Sequence, residues 1–187
     1  RARNGQWFEE HRQQIETLGV SLTTGASSLA TLALADDKVE FARKMEAHGL
    51  PVVPSVRIES ARELREKLAS AENKNALCVK PVTGIYGMGF WRFDEKSSPM
   101  AVFNHREHRL VSPQLYIAAA SADEAFKPLV LMSYLPGPEF SVDILADKGG
   151  ILAAVGRRKE GGIQYLVNEG SARELACVCA RVMKADG

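Results

Sequence analysis

A lysine and a glycine-rich segment carry the clearest chemical signal in the sequence. Lys80 stands in a short apolar strand that begins near Cys78, and three glycines follow it: Gly84, Gly87 and Gly89. Glycine lets backbone N–H groups approach anionic oxygens because it has no Cβ atom, and lysine adds a positive charge. The pattern predicts a loop that folds over a polyphosphate. Because a lysine within an apolar strand is unusual, we favour this interpretation over an ordinary hairpin turn.

A second polar pattern lies in residues 129–143. Their alternation puts three polar side chains on one strand face and three apolar ones on the other: Glu139, Ser141 and Asp143 against Phe140, Val142 and Ile144. Polar side chains that repeat on one strand face are typical of a solvent-filled cleft. From this segment alone, the solvent-exposed face of a two-layer sheet is the simpler interpretation.

Two neighbouring arginines are candidates for binding an anionic substrate. Arg157 and Arg158 come at the end of a predicted strand, before the flexible residues 160–162. Two guanidinium groups can hold a carboxylate or an acyl phosphate, since their planar forks suit bidentate anions. A solvated basic strand end fits the sequence equally well.

Other reactive side chains give weaker signals. His105 and His108 are predicted to lie in a polar surface segment rather than a metal site, because the spacing is unsuitable and no third ligand is identifiable. Ser171 is predicted to cap a helix, since no histidine or aspartate partner for a nucleophile can be identified.

Composition limits the class of protein. The 187 residues are 45% hydrophobic and 25% charged, as in an ordinary globular protein. A net charge of +1 gives no general attraction to nucleic acid or to an anionic membrane. Three cysteines without framework spacing favour a reducing cytoplasm. Because the first residue is Arg1, we expect the chain to be a piece of a longer protein.

Helical and extended patterns alternate along the chain and predict an α/β (α+β) fold. Helices are predicted at residues 7–18, 37–49, 61–68, 113–120 and 171–184. Strands are predicted at residues 78–81, 90–93, 129–134, 139–145 and 151–158. Asp36 or Asp37 is expected to cap the second helix, and Ser60 with Glu63 to form a capping box on the third.

Three segments occur in an order that resembles the ATP-grasp superfamily. They are the Asp37–Lys38 helix with its Gly49-Leu50-Pro51 exit, Lys80-Pro81 with the glycine loop, and residues 134–143. Within the superfamily, these segments are similar to those of carbamoyl-phosphate synthetase large subunits and D-alanine–D-alanine ligases. The resemblance covers about residues 20–187. It implies a small subdomain with the glycine loop and part of a larger C-terminal subdomain.

The resemblance implies contacts between ATP and several segments. Lys38 and Lys80 would contact the phosphates, and Lys80 also the adenine edge. A flexible loop would close over the phosphates: Thr83, Gly84, Tyr86, Gly87, Met88 and Gly89. A hinge strand would present its backbone to the adenine rim: Met132, Ser133, Tyr134 and Leu135. Glu139 would accept hydrogen bonds from the ribose hydroxyls.

The sequence departs from the family pattern at two places. The family usually has an acidic residue near positions 132 or 133, where this chain has Met132 and Ser133. Adenine selection would then depend more on backbone groups. The family's Mg²⁺ ligands would come after Gly187, so no metal ligand is expected within this chain. Mg²⁺, expected in the parent protein, offsets charge during phosphoryl transfer.

We therefore expect the ATP-binding core of an ATP-dependent ligase that joins a small-molecule carboxylate to an amine or similar nucleophile through an acyl phosphate. The alternative is a non-catalytic or regulatory nucleotide-binding module. A dinucleotide-dependent oxidoreductase fits poorly, because the glycine spacing is wrong and the loop leads into a strand.

The resemblance also divides the chain. Residues 1–20 would be the tail of a preceding domain, residues 21–135 the small subdomain with flanking helices, and residues 136–187 the start of an incomplete C-terminal subdomain. The parent protein is expected to be a cytoplasmic enzyme without nucleic-acid or membrane partners. This chain alone is expected to be inactive.

Overall fold

Two units make up the chain. The computed structural model describes residues 2–85, 87–160, 162–167 and 170–185. Residues Val53–Leu135 form one unit, which we call the central unit. Residues Arg1–Val52 and Pro136–Gly187 form the other, which we call the flanking unit. The predicted division at residues 20 and 135 stays a prediction.

The flanking unit begins with four helices: α1 (Ala2–Glu10), α2 (Arg12–Thr17), α3 (Leu29–Asp36) and α4 (Lys38–Ala47). The sequence predicted a single helix over residues 7–18, and the structure interrupts it at His11, whose ψ of 11° leaves the helical range. The helix α3 was not predicted, because its apolar residues show no one-sided pattern. The Asp37 carboxylate accepts hydrogen bonds from the N–H groups of Val39 and Glu40, which confirms it as the cap of α4.

A five-stranded sheet forms the central unit. Its elements are β1 (Ser55–Ile58), α5 (Ala61–Ala69), β2 (Leu77–Pro81), β3 (Trp91–Phe93), α6 (Ala101–Asn104), β4 (Leu110–Val111), α7 (Pro113–Ala122) and β5 (Leu129–Ser133), with 3₁₀ helices at Lys74–Ala76 and Arg106–His108. The strand order is β1-β5-β2-β3-β4. Neighbouring strands are antiparallel except β3 and β4, which are parallel.

The start of α5 follows the predicted capping pattern. The Ser60 hydroxyl accepts a hydrogen bond from the Glu63 N–H at 3.1 Å. The Glu63 carboxylate accepts one from the N–H of Glu59 at 2.8 Å, one residue earlier than the usual capping box. These bonds satisfy backbone donors that the first helical turn leaves free.

One face of the five-stranded sheet holds the core of the central unit. Side chains from the strands pack there with residues of α5 and α7: Ile58, Leu64, Leu68, Val79, Phe93, Val111, Leu115, Tyr116, Leu129 and Leu131. We call this the first face. Since side chains alternate along a strand, the residues between these core positions belong to the opposite, second face.

The flanking unit resumes with β6 (Glu139–Asp147), β7 (Gly150–Glu160), β8 (Ile163–Val167) and α8 (Ser171–Met183). The three strands form an antiparallel sheet in sequence order. The helix α8 packs on β6 and β7, and its first turn lines a cavity with Phe140 and Val142. This confirms that the apolar face of β6 is the covered one. At the other end of α8, Met183 packs with Met45 and Leu50.

Two local predictions for this region were incomplete. The edge strand β8 was not predicted, because its exposed residues lack a clear alternation. Ser171 is the first residue of α8 rather than its cap, because the cap position is occupied by Gly170, which has no side chain to accept a capping hydrogen bond. Within the described ranges, no helix combines the length and apolarity that crossing a membrane requires.

Candidate functional site

Lys80 lies on the second face of the five-stranded sheet. Its neighbour Val79 is fully buried in the core on the first face, so the lysine extends from the other side of β2. Lys80 is half-buried, and no described acidic side chain pairs with it. Burial raises the pKa of the adjacent Cys78 thiol, and the Lys80 charge acts in the opposite direction. A half-buried cation without an anion favours an anionic ligand at this position.

A second cation on the same face was missed from the sequence. Arg92 pairs with Cys78 across β2 and β3, and its guanidinium carbon lies 4.6 Å from the centre of the Tyr134 ring. Among the described residues, no acceptor reaches its buried Nε atom. Arg92 stands between Trp91 and Phe93, so a cation in an apolar strand, the signal used for Lys80, would have found it.

The glycine loop connects β2 to β3. Gly87 and Gly89 have φ angles of 63° and 76°, which favour glycine. A Cβ atom at Gly89 would lie 2.7 Å from Pro81 Cγ, so this position also has no room for a side chain. The N–H groups of Gly87 and Gly89 donate to no acceptor within the described residues. The loop therefore presents free donors of the kind that bind phosphate oxygens.

The remaining loop candidates differ in how much the structure describes. Thr83 and Gly84 are exposed, and Met88 exposes 61% of its surface. Tyr86 lies outside the described residues.

Arg109 holds the glycine loop at its middle. Its guanidinium group donates a hydrogen bond to the carbonyl oxygen of Gly87. Arg109 follows the 3₁₀ helix Arg106–His108 and has a φ of 52°, an uncommon conformation for a residue with a side chain. Its position depends on this tertiary arrangement, and no sequence signal could have found it.

Fewer backbone N–H and carbonyl groups of the hinge segment are available to a ligand than the resemblance implied. The N–H of Tyr134 donates to the carbonyl oxygen of Ala76 at 2.7 Å, and the Cys78 thiol donates weakly to the carbonyl of Ser133. Met132 is paired within the sheet. Among the described residues, the backbone of Leu135 has no hydrogen-bond partner. Of the four predicted hinge residues, Leu135 is therefore the one with both backbone groups open to a ligand.

The flanking unit holds the other predicted contacts. Lys38 is the half-buried first residue of α4. Glu139 begins β6, and its carboxylate lies 2.6 Å from the Lys159 Nζ atom. The Glu139 side chain is 70% exposed, so this ion pair is a weak constraint on it.

The two arginine candidates do not act together. Arg157 pairs with Ser141 and Arg158 with Phe140 across β6 and β7, so their side chains extend from opposite faces of the sheet. The expectation that both could hold one carboxylate was therefore wrong. Arg157 donates to Asp143 at 2.8 Å and to Gln164 at 2.6 Å. Each remains a separate candidate.

Comparisons with known proteins agree with this geometry. Residues 125–187 match a family described as "ATP-grasp in the biosynthetic pathway with Ter operon". No curated protein matches the chain significantly.

Several solved structures are similar to the chain. A D-alanine–D-alanine ligase from Bacillus anthracis, complexed with ATP, is 13% identical with a TM-score of 0.50 over 93% of this chain and 54% of that one. VanG D-Ala:D-Ser ligase from Enterococcus faecalis is 14% identical with a TM-score of 0.55 over 85% and 48%. A carboxyaminoimidazole ribonucleotide synthase from Aspergillus clavatus, complexed with ATP, is 18% identical with a TM-score of 0.57 over 87% and 41%.

The chain spans about half the length of these structures. At these identities the likeness concerns the fold, and it extends over most of this chain. The motifs around Lys80, the glycine loop and Glu139 led to the same fold from the sequence. The resemblance is confirmed, and the chain has the ATP-grasp fold.

Proposed function

We propose that this chain is the ATP-binding core of an ATP-dependent ligase. The observation that carries the proposal is Lys80, a half-buried lysine without a described acidic partner, next to a glycine loop in an ATP-grasp fold. Two of the similar structures are complexes with ATP, which supports a nucleotide as the missing anion.

Each group in the central unit has a role in this proposal. The Lys80 ammonium neutralises phosphate oxygens, and the free N–H groups of Gly87 and Gly89 donate to them. Arg92 adds a second positive charge on the same face. Leu135 provides an open backbone N–H and carbonyl for the adenine rim. Base selection then depends on backbone groups, since Met132 and Ser133 carry no charge.

In the flanking unit, Glu139 and Lys38 complete the proposed set. The Glu139 carboxylate accepts hydrogen bonds from ribose hydroxyls after leaving Lys159, which costs little because the pair is exposed. Lys38 contributes positive charge toward the phosphates. Both roles rest on the resemblance and on the position of these residues at the starts of β6 and α4.

The proposed reaction joins a small-molecule carboxylate to an amine or similar nucleophile. A carboxylate oxygen attacks the γ-phosphorus of ATP, the bond to the β–γ bridging oxygen breaks, and ADP leaves. The amine nitrogen then attacks the acyl carbon, the carbon–oxygen bond to phosphate breaks, and phosphate leaves while the nitrogen loses a proton. Positive side chains accelerate the first step by offsetting the charge on the transferring group.

We expect Mg²⁺ to assist the proposed reaction. The carboxylates of Glu139 and Asp143 on the three-stranded sheet are both in ion pairs, with Lys159 and Arg157. Glu139 is assigned to the ribose hydroxyls, and Asp143 is held by Arg157 at 2.8 Å, so neither carboxylate is assigned as a magnesium ligand.

Calorimetric titration of ATP tests the proposal. We expect Lys80→Ala to weaken ATP binding by about 10–100-fold, because a charge-assisted hydrogen bond contributes about 1.5–3 kcal/mol. The matched control is Lys67→Ala, since Lys67 is exposed on α5. Titrations with and without Mg²⁺ separate the protein's own phosphate contacts from those of the ion. Equal ATP affinities for wild type and Lys80→Ala would contradict the proposal.

A further inference from the structure

Three side chains with metal-binding atoms converge after α6. His105 ends α6, and Glu107 and His108 belong to the following 3₁₀ helix. Their ligand atoms all lie within 4.8 Å of one another. Both histidines are exposed, as predicted, but the sequence favoured a surface segment over a metal site because Glu107 was not identified as a third ligand.

The distances within this cluster are close to those of a coordination site. Glu107 Oε1 lies 3.6 Å from His105 Nδ1 and 3.7 Å from His108 Nε2. Both are longer than a hydrogen bond, so neither histidine is hydrogen-bonded to the carboxylate. Zinc bonds of about 2.0–2.1 Å in a tetrahedron put neighbouring ligand atoms about 3.3 Å apart. These two contacts would need to shorten by a few tenths of an ångström, and the two imidazole nitrogens, which lie within 4.8 Å of each other, by up to about 1.5 Å.

The surroundings of the cluster permit an ion to enter. The three side chains are 61–64% exposed, and the two imidazole rings are nearly parallel, with centroids 5.5 Å apart. Glu107 supplies a carboxylate, whose negative charge at neutral pH favours a bound cation. The adjacent Arg106 and Arg109 oppose cation binding and limit the affinity.

We propose that His105, Glu107 and His108 form a binding site for a zinc-type transition-metal ion. Two imidazole nitrogens and one carboxylate oxygen suit Zn²⁺, Co²⁺, Ni²⁺ or Cu²⁺, whereas Mg²⁺ prefers oxygen ligands alone. Three protein ligands leave a position for water or a further ligand. Glu107 lines a cavity together with Met88 and Gly89 of the glycine loop, and the site adjoins Arg109, which holds that loop.

Metal titration of the full chain, purified without a histidine tag, tests this site. We expect one Zn²⁺ per chain, with binding at least about tenfold weaker in His105→Ala and His108→Ala and weaker in Glu107→Gln, because each removes one of three ligands. His48→Ala is the matched control, since His48 is also exposed at a helix end, and it should bind like wild type.

Three results would overturn the proposal. The first is no Zn²⁺ binding at about 100 μM, a concentration well above that at which a three-ligand protein site is occupied. The second is equal binding by wild type and the two histidine variants, which would place the ion elsewhere, for example on the cysteines. The third is competition by millimolar Mg²⁺, which would indicate an oxygen-ligand site. Because all three side chains are exposed, the variants should fold, and circular dichroism checks this.

Discussion

The guanidinium group of Arg109 donates a hydrogen bond to the backbone carbonyl of Gly87. The bond joins the end of the 3₁₀ helix Arg106–His108 to the middle of the glycine loop. A loop rich in glycine has high conformational entropy, so a single side-chain contact at its centre restricts it considerably. If the loop closes over a phosphate, Arg109 must either keep its bond to the Gly87 carbonyl or replace it with a bond to another acceptor.

Removal of this contact should release the loop. Arg109→Met keeps the length of the side chain and deletes its donors. We expect chymotrypsin to cut the variant at residues 86–90 several-fold faster than wild type, because proteolysis follows the population of the open segment. The matched control is Arg106→Met, since Arg106 lies on the same segment and has no bond to Gly87. Equal cleavage rates in the two variants would show that Arg109 does not restrain the loop.

Gly89 is the loop position where a side chain should be most harmful. Gly89→Ala places a Cβ 2.7 Å and 2.9 Å from two atoms of the Pro81 ring, at a φ of 76° that alanine rarely adopts. We expect the free energy of unfolding to fall by about 1–3 kcal/mol, measured by urea denaturation. Gly137→Ala is the control, because its Cβ would meet open space at an ordinary φ. A loss no greater than that of the control would mean that the loop rearranges to fit the methyl group.

Variants of Glu139 and Lys159 distinguish the proposed ribose contact of Glu139 from its ion pair with Lys159. Glu139→Gln and Lys159→Gln both remove the ion pair, but only Glu139→Gln removes the carboxylate. We expect ATP binding to weaken about tenfold in Glu139→Gln and to stay near wild type in Lys159→Gln. Each variant should change the free energy of unfolding by less than about 1 kcal/mol, because the pair is exposed. Similar ATP affinities for the two variants would remove Glu139 from the site.

The partly buried phenol of Tyr116 predicts a loss of stability at high pH. Burial raises the pKa of Tyr116, which packs edge-on against Phe93 with ring centroids 5.7 Å apart. The folded chain therefore holds this proton more tightly than the unfolded chain. This contribution is fully present below the unfolded pKa of about 10 and is lost as the pH rises through the folded pKa.

Urea denaturation between pH 8 and 11 measures this effect. Tyr116→Phe keeps the ring and removes the titrating group, so its free energy of unfolding should decline less steeply above about pH 10 than that of wild type. Identical slopes would show that the phenol does not contribute.

The parts of the fold that follow local rules were predictable from the sequence. Ser60 and Glu63 identified the start of α5, and Asp36 or Asp37 that of α4, because capping needs particular side chains at fixed spacing. Lys80 was identified because a charged side chain is uncommon in an apolar strand unless it has a binding partner. Arg92 carried the same signal and was overlooked.

The parts that depend on distant contacts were not predictable. The order β1-β5-β2-β3-β4 pairs strands far apart in the chain, which no local pattern encodes. Arg109 has a left-handed conformation at the end of a 3₁₀ helix and donates to Gly87, and the proximity of Glu107 to both histidines depends on the turn of the same helix. Such relationships need the folded backbone.

The most direct test of ATP binding at Lys80 is chemical labelling. An acyl-phosphate derivative of ATP transfers its acyl group to lysine amino groups that lie next to the bound phosphates, and mass spectrometry identifies the modified residues. We predict that Lys80 is labelled and that excess ATP suppresses this labelling, while any labelling of the exposed Lys67 is unaffected by ATP. An unlabelled Lys80, or labelling that ATP does not reduce, would contradict the proposed site.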